Sequence, residues 1–461
     1  MKDLTQGPIT RHLIELSVPI AIGMLFQTLY FLVDLIFISR LGDAAIAGVS
    51  SAGTAGFVIL GLTQMLGVGT VALVAQAAGR KDQAAANRVF NQSVLLSALC
   101  GVATLLAGIF ISAPYLRSVA ADEDSARAGI AYLYAYTPGL ALQFALVALG
   151  SALRGTGIVQ PTMLVQVLTV ILNIVLAPIL IAGWVTHHPL GPAGAGLASS
   201  IAIAVGVVLL WIYFARLEHY VGLKSALLRP EWPTIRRILN IGLPAGGEFF
   251  MMFVILGVIY WVIRSFGPAA QAGFGIGGRM MQALFLPVMA LAFGATPLAG
   301  QNFGGGRYER VRATFRQAAL LSSVLMLVLT LVCQVLPGFF IRLFSDQSEV
   351  VAVGAQYLRI ISWNFIATGL IFTCSGLFQA LGNTWPSLLS SASRLLTFVL
   401  PALWLSRRPG FTLHQVWLLS VATVTLQALT SLWFLRREFR RRLCAPPPAA
   451  AQAAPATGGA G

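Results

Sequence analysis

The chain has 461 residues, of which 57% are hydrophobic and only 10% are Asp, Glu, Lys or Arg. Soluble domains carry about a quarter charged residues, so this composition excludes a soluble globular protein. The formal net charge is +15, which in a soluble chain would point to nucleic acid. A chain this apolar is instead best divided into spans of about 20 residues that each cross a lipid bilayer.

Apolar runs predict twelve transmembrane helices, because lipid offers no other hydrogen-bond partner to the backbone of such a segment. The runs are also too long and too continuous for barrel strands. In chain order the predicted helices cover residues 13–39, 44–77, 90–116, 129–153, 161–184, 195–215, 238–263, 269–303, 317–341, 354–381, 386–405 and 413–435. We therefore predict an all-α polytopic membrane protein.

The basic residues are divided unevenly between the two sides of the membrane. Twenty of the thirty Lys and Arg residues fall in connections on one side and seven on the other, while Arg279, Arg359 and Arg394 lie within predicted spans. Cytoplasmic connections carry the excess of positive charge. Both termini are therefore predicted to be cytoplasmic, and the net charge reports topology rather than nucleic-acid binding.

The sequence also matches itself at one fixed offset, here called the repeat offset, which is the separation of Pro19 from Pro244. Other pairs at this offset are Gln76 with Gln301, Gly79 with Gly304, and the segment LGDAAIAG (41–48) with FGPAAQAG (266–273). An even number of spans in each half makes the two repeats parallel, related by an axis along the membrane normal. This pattern favours two six-helix lobes around a cleft that opens to alternate sides.

Five parts of the chain follow from these patterns. They are a cytoplasmic N-terminus (1–12), an N-lobe (13–217), a cytoplasmic linker (218–237), a C-lobe (238–435) and a cytoplasmic tail (436–461). The tail starts with a basic cluster, which we expect to lie at anionic lipid headgroups. Its end is rich in Pro, Ala and Gly and is predicted to be disordered. We expect the chain to be a monomer.

Two of the fifteen acidic residues lie well inside predicted spans, Asp34 in the first and Glu248 in the seventh. A carboxylate near the bilayer centre costs about 2.5–3.5 kcal/mol on insertion scales, so each indicates a function. Gln27 and Tyr30 share a helix face with Asp34, and Asn173 in the fifth span can join them around a polar cavity. Such a carboxylate can take up and release a proton, or provide oxygen ligands to Na⁺.

Glu248, Arg279 and Arg394 form a second candidate site for ion coupling or substrate binding. Glu248 also has a structural interpretation, because the two arginines lie deepest in the spans of the same half. Either arginine would neutralise Glu248 as a structural charge pair. Met and aromatic residues are concentrated in helices seven and eight, where they suit a site for dissimilar, often cationic, apolar molecules, with lipid-facing packing as the alternative. The candidate substrate-binding residues are Phe253, Tyr260, Met281, Gln282 and Met289.

The sequence carries no signal of an enzyme. No spacing of His, Cys or carboxylate residues resembles a metal site, and no Walker loop or hydrolase elbow appears in the sequence. We therefore expect neither enzymatic activity nor a bound cofactor, and the only expected small partners are the coupling ion and the transported molecules.

Several sequence blocks carry a family resemblance. The block SVPIAIGMLFQTLYFLVDLIFISRLGDAAIAGVS covers residues 17–50. Further blocks are GVGTVALVAQAAGRKD (67–82), ALRGTGIVQP (152–161), IGLPAGGE (241–248) and FQALGNTWP (378–386). Together they resemble the multidrug and toxic compound extrusion (MATE) transporters over nearly the whole chain.

This resemblance implies drug or cation antiport across a bacterial inner membrane by alternating access. It places Asp34 at the family's ion-coupling aspartate, with Gln27 and Asn173 at positions that join its network in DinF-like members. The chain departs from that branch in helix five, where NIVLAP has Ala177 in place of a second acid. Another branch carries a glutamate in helix seven, and Glu248 lies in that helix but nearer the proline.

We therefore predict a secondary antiporter that exports amphipathic or cationic drugs and toxic compounds in exchange for protons. Two alternatives stay open. One is a Na⁺-coupled MATE antiporter. The other is a flippase for lipid-linked precursors, which would need a wide and strongly cationic central cavity.

Overall fold

A computed structural model describes residues 1–120, 122–184, 187–344 and 346–443, without the side chains of residues 31–35. The predicted disordered end of the tail lies outside these residues. The helices are, in chain order, α1 (Ile9–Ser39), α2 (Asp43–Gly79), α3 (Gln83–Val119), α4 (Glu123–Gly155), α5 (Gln160–Ile181), α6 (Pro192–Arg216), α7 (Trp232–Ile263), α8 (Pro268–Gly304), α9 (Tyr308–Val335), α10 (Pro337–Arg342), α11 (Ser348–Ile361), α12 (Phe365–Leu381), α13 (Trp385–Leu405) and α14 (Leu413–Arg442).

Within the described residues, twelve helical stretches are long and apolar enough to cross a membrane. They coincide with the twelve predicted helices, so the predicted all-α membrane fold is confirmed. Several helix ends differ from the predicted limits, and the starts of α3, α4 and α9, for example, lie several residues earlier than predicted. Two C-terminal ends also differ. The predicted helix 317–341 ends at Val335, and α10 begins at Pro337, which has no backbone N–H to continue the helix. The predicted helix 413–435 continues to Arg442, so the whole basic cluster is helical.

The predicted helix 354–381 is broken by a 3₁₀ turn, Ser362–Asn364, between α11 and α12. A break inside a membrane frees backbone carbonyls that need new partners. The Ser362 carbonyl accepts a hydrogen bond from Thr330 Oγ1 of α9 at 2.9 Å. A neighbouring helix therefore satisfies the break from within the protein.

Helices α1–α6 form the N-lobe and α7–α14 form the C-lobe. The connection between the lobes is fastened to α3 by amide side chains one helical turn apart. Asn87 Oδ1 accepts the N–H of Gly222 at 2.9 Å, and Asn91 Oδ1 accepts the N–H of Lys224 at 2.9 Å. Gln92 Nε2 donates to two further carbonyls of the connection, at 2.8 and 2.7 Å. The linker is therefore held in a defined conformation against α3 of the N-lobe.

The two longest helices of the lobe interface, α2 and α8, change environment along their length. Residues 66–78 of α2 and 294–302 of α8 are all buried. In the first half of each helix one face stays accessible, as at Phe57 of α2, which is 54% exposed. The N-terminal segment joins the buried end, where the N–H of Leu4 donates to Gln301 Oε1 at 3.0 Å. This distribution indicates lobes that are closed at the end bearing the N-terminus, with a cleft entering from the opposite end.

Backbone contacts at the closed end follow the internal repeat. A methyl group on Gly79 would overlap the carbonyl oxygen of Gln301, and a methyl group on Gly304 would overlap the carbonyl oxygen of Gln76. The two glycines are separated by the repeat offset, as are the two glutamines. Only glycine allows helices α2 and α8 to approach this closely in both directions.

The same two glutamines form a reciprocal pair of hydrogen bonds between the lobes, here called the glutamine latch. Gln76 Nε2 of the N-lobe donates to the carbonyl of Ala380 in the C-lobe at 2.8 Å. Gln301 Nε2 of the C-lobe donates to the carbonyl of Gly155 in the N-lobe at 3.1 Å. Gly155 and Ala380 are again separated by the repeat offset, so the latch has approximate two-fold symmetry.

Candidate ion-coupling and substrate sites

The N-lobe brings three predicted polar residues toward one region. The Tyr30 hydroxyl of α1 is hydrogen-bonded to Ser199 Oγ of α6, and Asn173 Nδ2 of α5 donates to the same oxygen at 3.3 Å. Gln27, one turn before Tyr30, accepts a hydrogen bond from Gln166 Nε2 of α5 at 3.2 Å. Helices α1, α5 and α6 are therefore joined by a polar network, here called the N-lobe network.

Asp34 occupies a position on α1 one turn beyond Tyr30, five residues before the helix ends at Ser39. Its side chain lies outside the described residues. Tyr134, a further polar residue of the predicted fourth span, lies apart from this network. Its hydroxyl is 3.4 Å from the carbonyl of Ile109 on α3, and its side chain is 43% exposed.

The C-lobe has a separate polar network around Glu248, near the middle of α7. Its carboxylate accepts hydrogen bonds from Ser375 Oγ of α12 at 3.0 Å and from Ser387 Oγ of α13 at 2.7 Å. The two hydroxyls are 3.1 Å apart, and Gln379 Nε2 lies 3.4 Å from Ser375 Oγ. These four residues are here called the Glu248 cluster.

The predicted charge pair of Glu248 is not found among the described residues. None of the ion pairs between them includes Glu248. Arg279 is exposed on α8, whereas Glu248 is half-buried. Arg394 of α13 has a buried Nε without an acceptor in the described part of the chain. Glu248 is therefore held by hydroxyl groups rather than by a cation.

The predicted substrate-binding residues separate into two groups. The ring of Phe253 lies across the lobe interface from Phe57, with centroids 5.3 Å apart, and Gln282 is exposed. Tyr260 instead packs edge-on against Phe274 of the C-lobe at 4.9 Å, although its side chain is 37% exposed. Met281 is half-buried, and its sulfur lies 3.0 Å from the hydroxyl of Tyr357. Met289 is half-buried on α8.

Four residues of these sites are not evident from the sequence. Three are serines, Ser199, Ser375 and Ser387, whose hydroxyls are common in membrane helices and give no signal on their own. The fourth is Arg154, which the predicted helix limits place in a cytoplasmic connection. It lies instead in the last turn of α4, beside a small cavity between the lobes. The extension of α4 by two residues beyond its predicted end accounts for this difference.

The acids of the two lobes are not related by the repeat. The position equivalent to Asp34 is Ile259 in α7, and the position equivalent to Glu248 is Gly23 in α1. Positions 23 and 34 are eleven steps apart, which at about 1.5 Å per residue separates the two levels by about 17 Å along the helix axis. Each lobe therefore has its own polar site at its own depth.

The comparison with protein families decides the identity of this fold. A family model described as MatE matches residues 19–179 and again residues 244–404. The starts of the two matches are separated by the repeat offset, and the matches cover more than half of the chain. The chain belongs to the MatE family. Proteins of this family are transporters rather than enzymes.

The MatE assignment agrees with individual relatives. The chain is 28% identical over 417 residues to the probable multidrug resistance protein YpnP of Bacillus subtilis (strain 168), covering 90% of this chain and 91% of that protein. It superposes on a MOP superfamily transporter from Pyrococcus furiosus Vc1 (DSM3638) with a TM-score of 0.88 and 25% identity, covering 96% and 98% of the two chains.

A multidrug resistance MATE family transporter in an outward-facing conformation has the same fold. Its TM-score to this chain is 0.87 at 24% identity, with coverage of 96% of this chain and 98% of that one.

Proposed function

We propose that this MatE protein is a secondary antiporter that exports amphipathic, cationic compounds in exchange for protons. The observation that carries the proposal is the N-lobe network, in which Tyr30 and Asn173 bind one hydroxyl, one turn from the position of Asp34. An acid beside several hydrogen-bonding groups within a lobe is typical of proton relays in membrane transporters. The relative YpnP is named as a probable multidrug resistance protein, which supports the substrate class.

Protonation of Asp34 would drive transport by changing the balance between two states of the cleft. A transported ion does this only when it binds the two states with different affinity. Helices α1, α5 and α6 hold the network inside one lobe, so a proton there alters how α1 packs. Because α1 also packs against α8 of the C-lobe, a shift of α1 reaches the lobe interface.

The substrate is proposed to bind in the cleft between the lobes. Phe57 and Phe253 face each other from α2 and α7 just before the closed end. Aromatic faces attract apolar cations and tolerate many shapes. Gln282, exposed on α8, supplies a polar contact. Met289 lies on the same helix, two turns beyond Gln282 toward the closed end.

Sodium coupling is a second candidate, favoured by one observation. The Glu248 cluster groups a carboxylate with the hydroxyl oxygens of Ser375 and Ser387, at 3.0 and 2.7 Å from Glu248. Hard cations prefer oxygen ligands of this kind. We therefore propose Glu248 as a secondary site that holds a proton or Na⁺, and that affects substrate binding or coupling.

We propose the orientation of the protein in the membrane from the uneven distribution of its Lys and Arg residues. Both termini would lie in the cytoplasm of a bacterial cell, with the protein in the inner membrane as a monomer. Arg436, Arg437, Arg440 and Arg441 are exposed at the end of α14, where they can contact anionic headgroups. Arg442 does not belong to this surface, because its guanidinium binds the carbonyl of Leu381 at 2.6 Å.

Transport by the purified protein in proteoliposomes tests this proposal. A fluorescent organic cation is followed while a pH gradient or a Na⁺ gradient is imposed separately. The proposal expects the pH gradient to drive transport and the Na⁺ gradient to have little effect. Transport driven by Na⁺ alone would assign coupling to the second candidate. Movement of a lipid-linked anionic precursor without organic-cation transport would replace both by the flippase alternative.

A further inference from the structure

A small cavity lies between the lobes, close to the glutamine latch. It is lined by residues of α2, α4, α8 and α12, among them Gln64, Arg154, Thr296 and Gln379. Its volume is about 20 Å³, enough for one water-sized particle and far below that of the pockets of drug-sized ligands, which occupy about 300–1,000 Å³. The cavity therefore suits a small ion better than an exported drug.

The charge in this cavity comes from Arg154. One terminal nitrogen of its guanidinium donates to Ser151 Oγ at 2.8 Å, while the Nε–H is buried without an acceptor in the described part of the chain. No carboxylate among the described residues lies within ion-pair distance of it. A buried charge without a counter-charge is strongly unfavourable. Arg154 therefore needs an anion from another source.

The opposite wall of the cavity adds a second donor. Gln379 is the repeat equivalent of Arg154, and its side chain is 8% exposed. Its amide nitrogen is only weakly engaged, at 3.4 Å from Ser375 Oγ. An anion between the guanidinium of one lobe and this amide of the other would be held by both lobes. Val68, Val71 and Phe293 supply an apolar part of the wall, which strengthens such an interaction.

We propose that this cavity binds a small anion, with Arg154 and Gln379 as its donors. Chloride has the size and the charge for this site, and the carboxylate of a substrate offers the same chemistry. Arg154 and Gln379 each immediately precede a latch carbonyl, that of Gly155 or Ala380. The anion therefore stabilises the closed end of the cleft and leaves when the lobes separate there.

Thermal denaturation of the full-length protein in detergent tests the proposal. Chloride replaces gluconate at constant ionic strength, so that screening does not change. A ligand that binds only the folded protein raises the melting temperature in proportion to the logarithm of its concentration above Kd. We expect such a rise for the wild-type protein and its loss in Arg154→Gln. Arg394→Gln is the matched control, because Arg394 also has a buried Nε without an acceptor among the described residues but does not line the cavity.

One further variant and one further anion also test the proposal. Gln379→Glu places a carboxylate in the cavity with Arg154 and is expected to abolish the chloride effect. Acetate in place of chloride tells the two sources apart. A larger stabilisation by acetate assigns the site to substrate carboxylates, and a larger one by chloride assigns it to the inorganic ion. A chloride effect equal in Arg154→Gln and wild type, or no anion effect in the wild type, overturns the proposal. The readout is stability, so it does not depend on the proposed antiport.

Discussion

The two lobes are alike where they touch each other and different where they carry charge. At the closed end, Gly79 and Gln76 of the N-lobe make the same contacts as Gly304 and Gln301 of the C-lobe. Inside the lobes the N-lobe network includes Asn173, whose equivalent in the C-lobe is the buried Phe398.

This difference separates the residues that shape the lobe interface from the residues that bind ions. Opening and closing of a cleft between two repeats that are related by an axis along the membrane normal requires matched surfaces on both lobes, so the repeat is retained there. Ion binding needs only one site, and a second carboxylate in the membrane adds about 2.5–3.5 kcal/mol of insertion cost. The acids are therefore placed once each, at different depths in the two lobes.

Substitution of the interface glycines is expected to have the largest effect on transport. In Gly79→Ala and in Gly304→Ala the new methyl group overlaps a backbone carbonyl of the facing helix, which cannot move aside as a flexible side chain can. We expect transport in proteoliposomes to fall by at least about tenfold, equally for both variants, because a carbonyl overlap prevents close helix packing. Gly53→Ala is the control, since the space around Gly53 is open. Unequal effects of the two substitutions would show that the closed end is not symmetric.

Removal of the charge of Glu248 tests the C-lobe site. Glu248→Gln keeps an oxygen for Ser375 and Ser387 but cannot exchange a proton or bind a cation as a carboxylate does. We expect substrate transport to drop by about tenfold, in the range of one lost charged hydrogen bond. The exposed Glu349→Gln serves as control. Unchanged efflux and substrate range in Glu248→Gln would demote Glu248 to a structural role.

The glutamine latch predicts smaller effects on conformation. Gln76→Ala and Gln301→Ala each leave one carbonyl of the closed end unpaired, which destabilises that state by about 1–3 kcal/mol. Gln301→Ala also leaves the N–H of Leu4 without its acceptor. Spin labels at the exposed, repeat-related Ala84 and Glu309 report the separation of the lobes at this end, in a background without the native cysteines. Both variants should shift the distance distribution toward longer values, and Gln301→Ala should shift it further. No shift in either variant would show that the latch does not hold the end closed.

Ser199→Ala has the smallest expected effect. It removes the hydroxyl shared by Tyr30 and Asn173 but leaves the acid on α1 in place. We expect the external pH that gives half-maximal transport to move, with a few-fold change in rate, corresponding to about 1 kcal/mol for one hydrogen bond. Ser97→Ala is the control, because Ser97 bonds only a carbonyl of its own helix at 2.7 Å. Identical pH profiles for wild type and Ser199→Ala would remove Ser199 from the coupling site.

The sequence was sufficient to predict the helices and the repeat. Hydrophobic runs define membrane helices strongly because the lipid permits few alternatives, and the repeat offset found in the sequence is also the separation of the two MatE matches. The partners of Glu248 were not predictable, because Ser375 and Ser387 come from helices whose rotation about Glu248 depends on packing. The break at Ser362–Asn364 was missed because it contains neither Pro nor Gly.

The predicted end of the fourth span is two residues too early for a related reason. Arg154 follows an apolar run and precedes Gly155, so it was counted with the cytoplasmic connections. Its helix continues through Gly155, and the guanidinium turns into the lobe interface. Predicted membrane boundaries are uncertain by about two to four residues, which is enough to move an arginine from water to the protein interior. The predicted lobe boundaries, the side of the termini and the coupling residues stay predictions.

Proton-driven transport by Asp34→Asn is the most direct test of the account. Wild-type and variant proteins are reconstituted in liposomes, and uptake of a labelled organic cation is measured with a pH gradient and, separately, as exchange at equal pH. The account predicts that Asp34→Asn loses uptake driven by the pH gradient to the level of empty liposomes but retains exchange. Gradient-driven uptake by Asp34→Asn at the wild-type rate would contradict the assignment of coupling to the N-lobe.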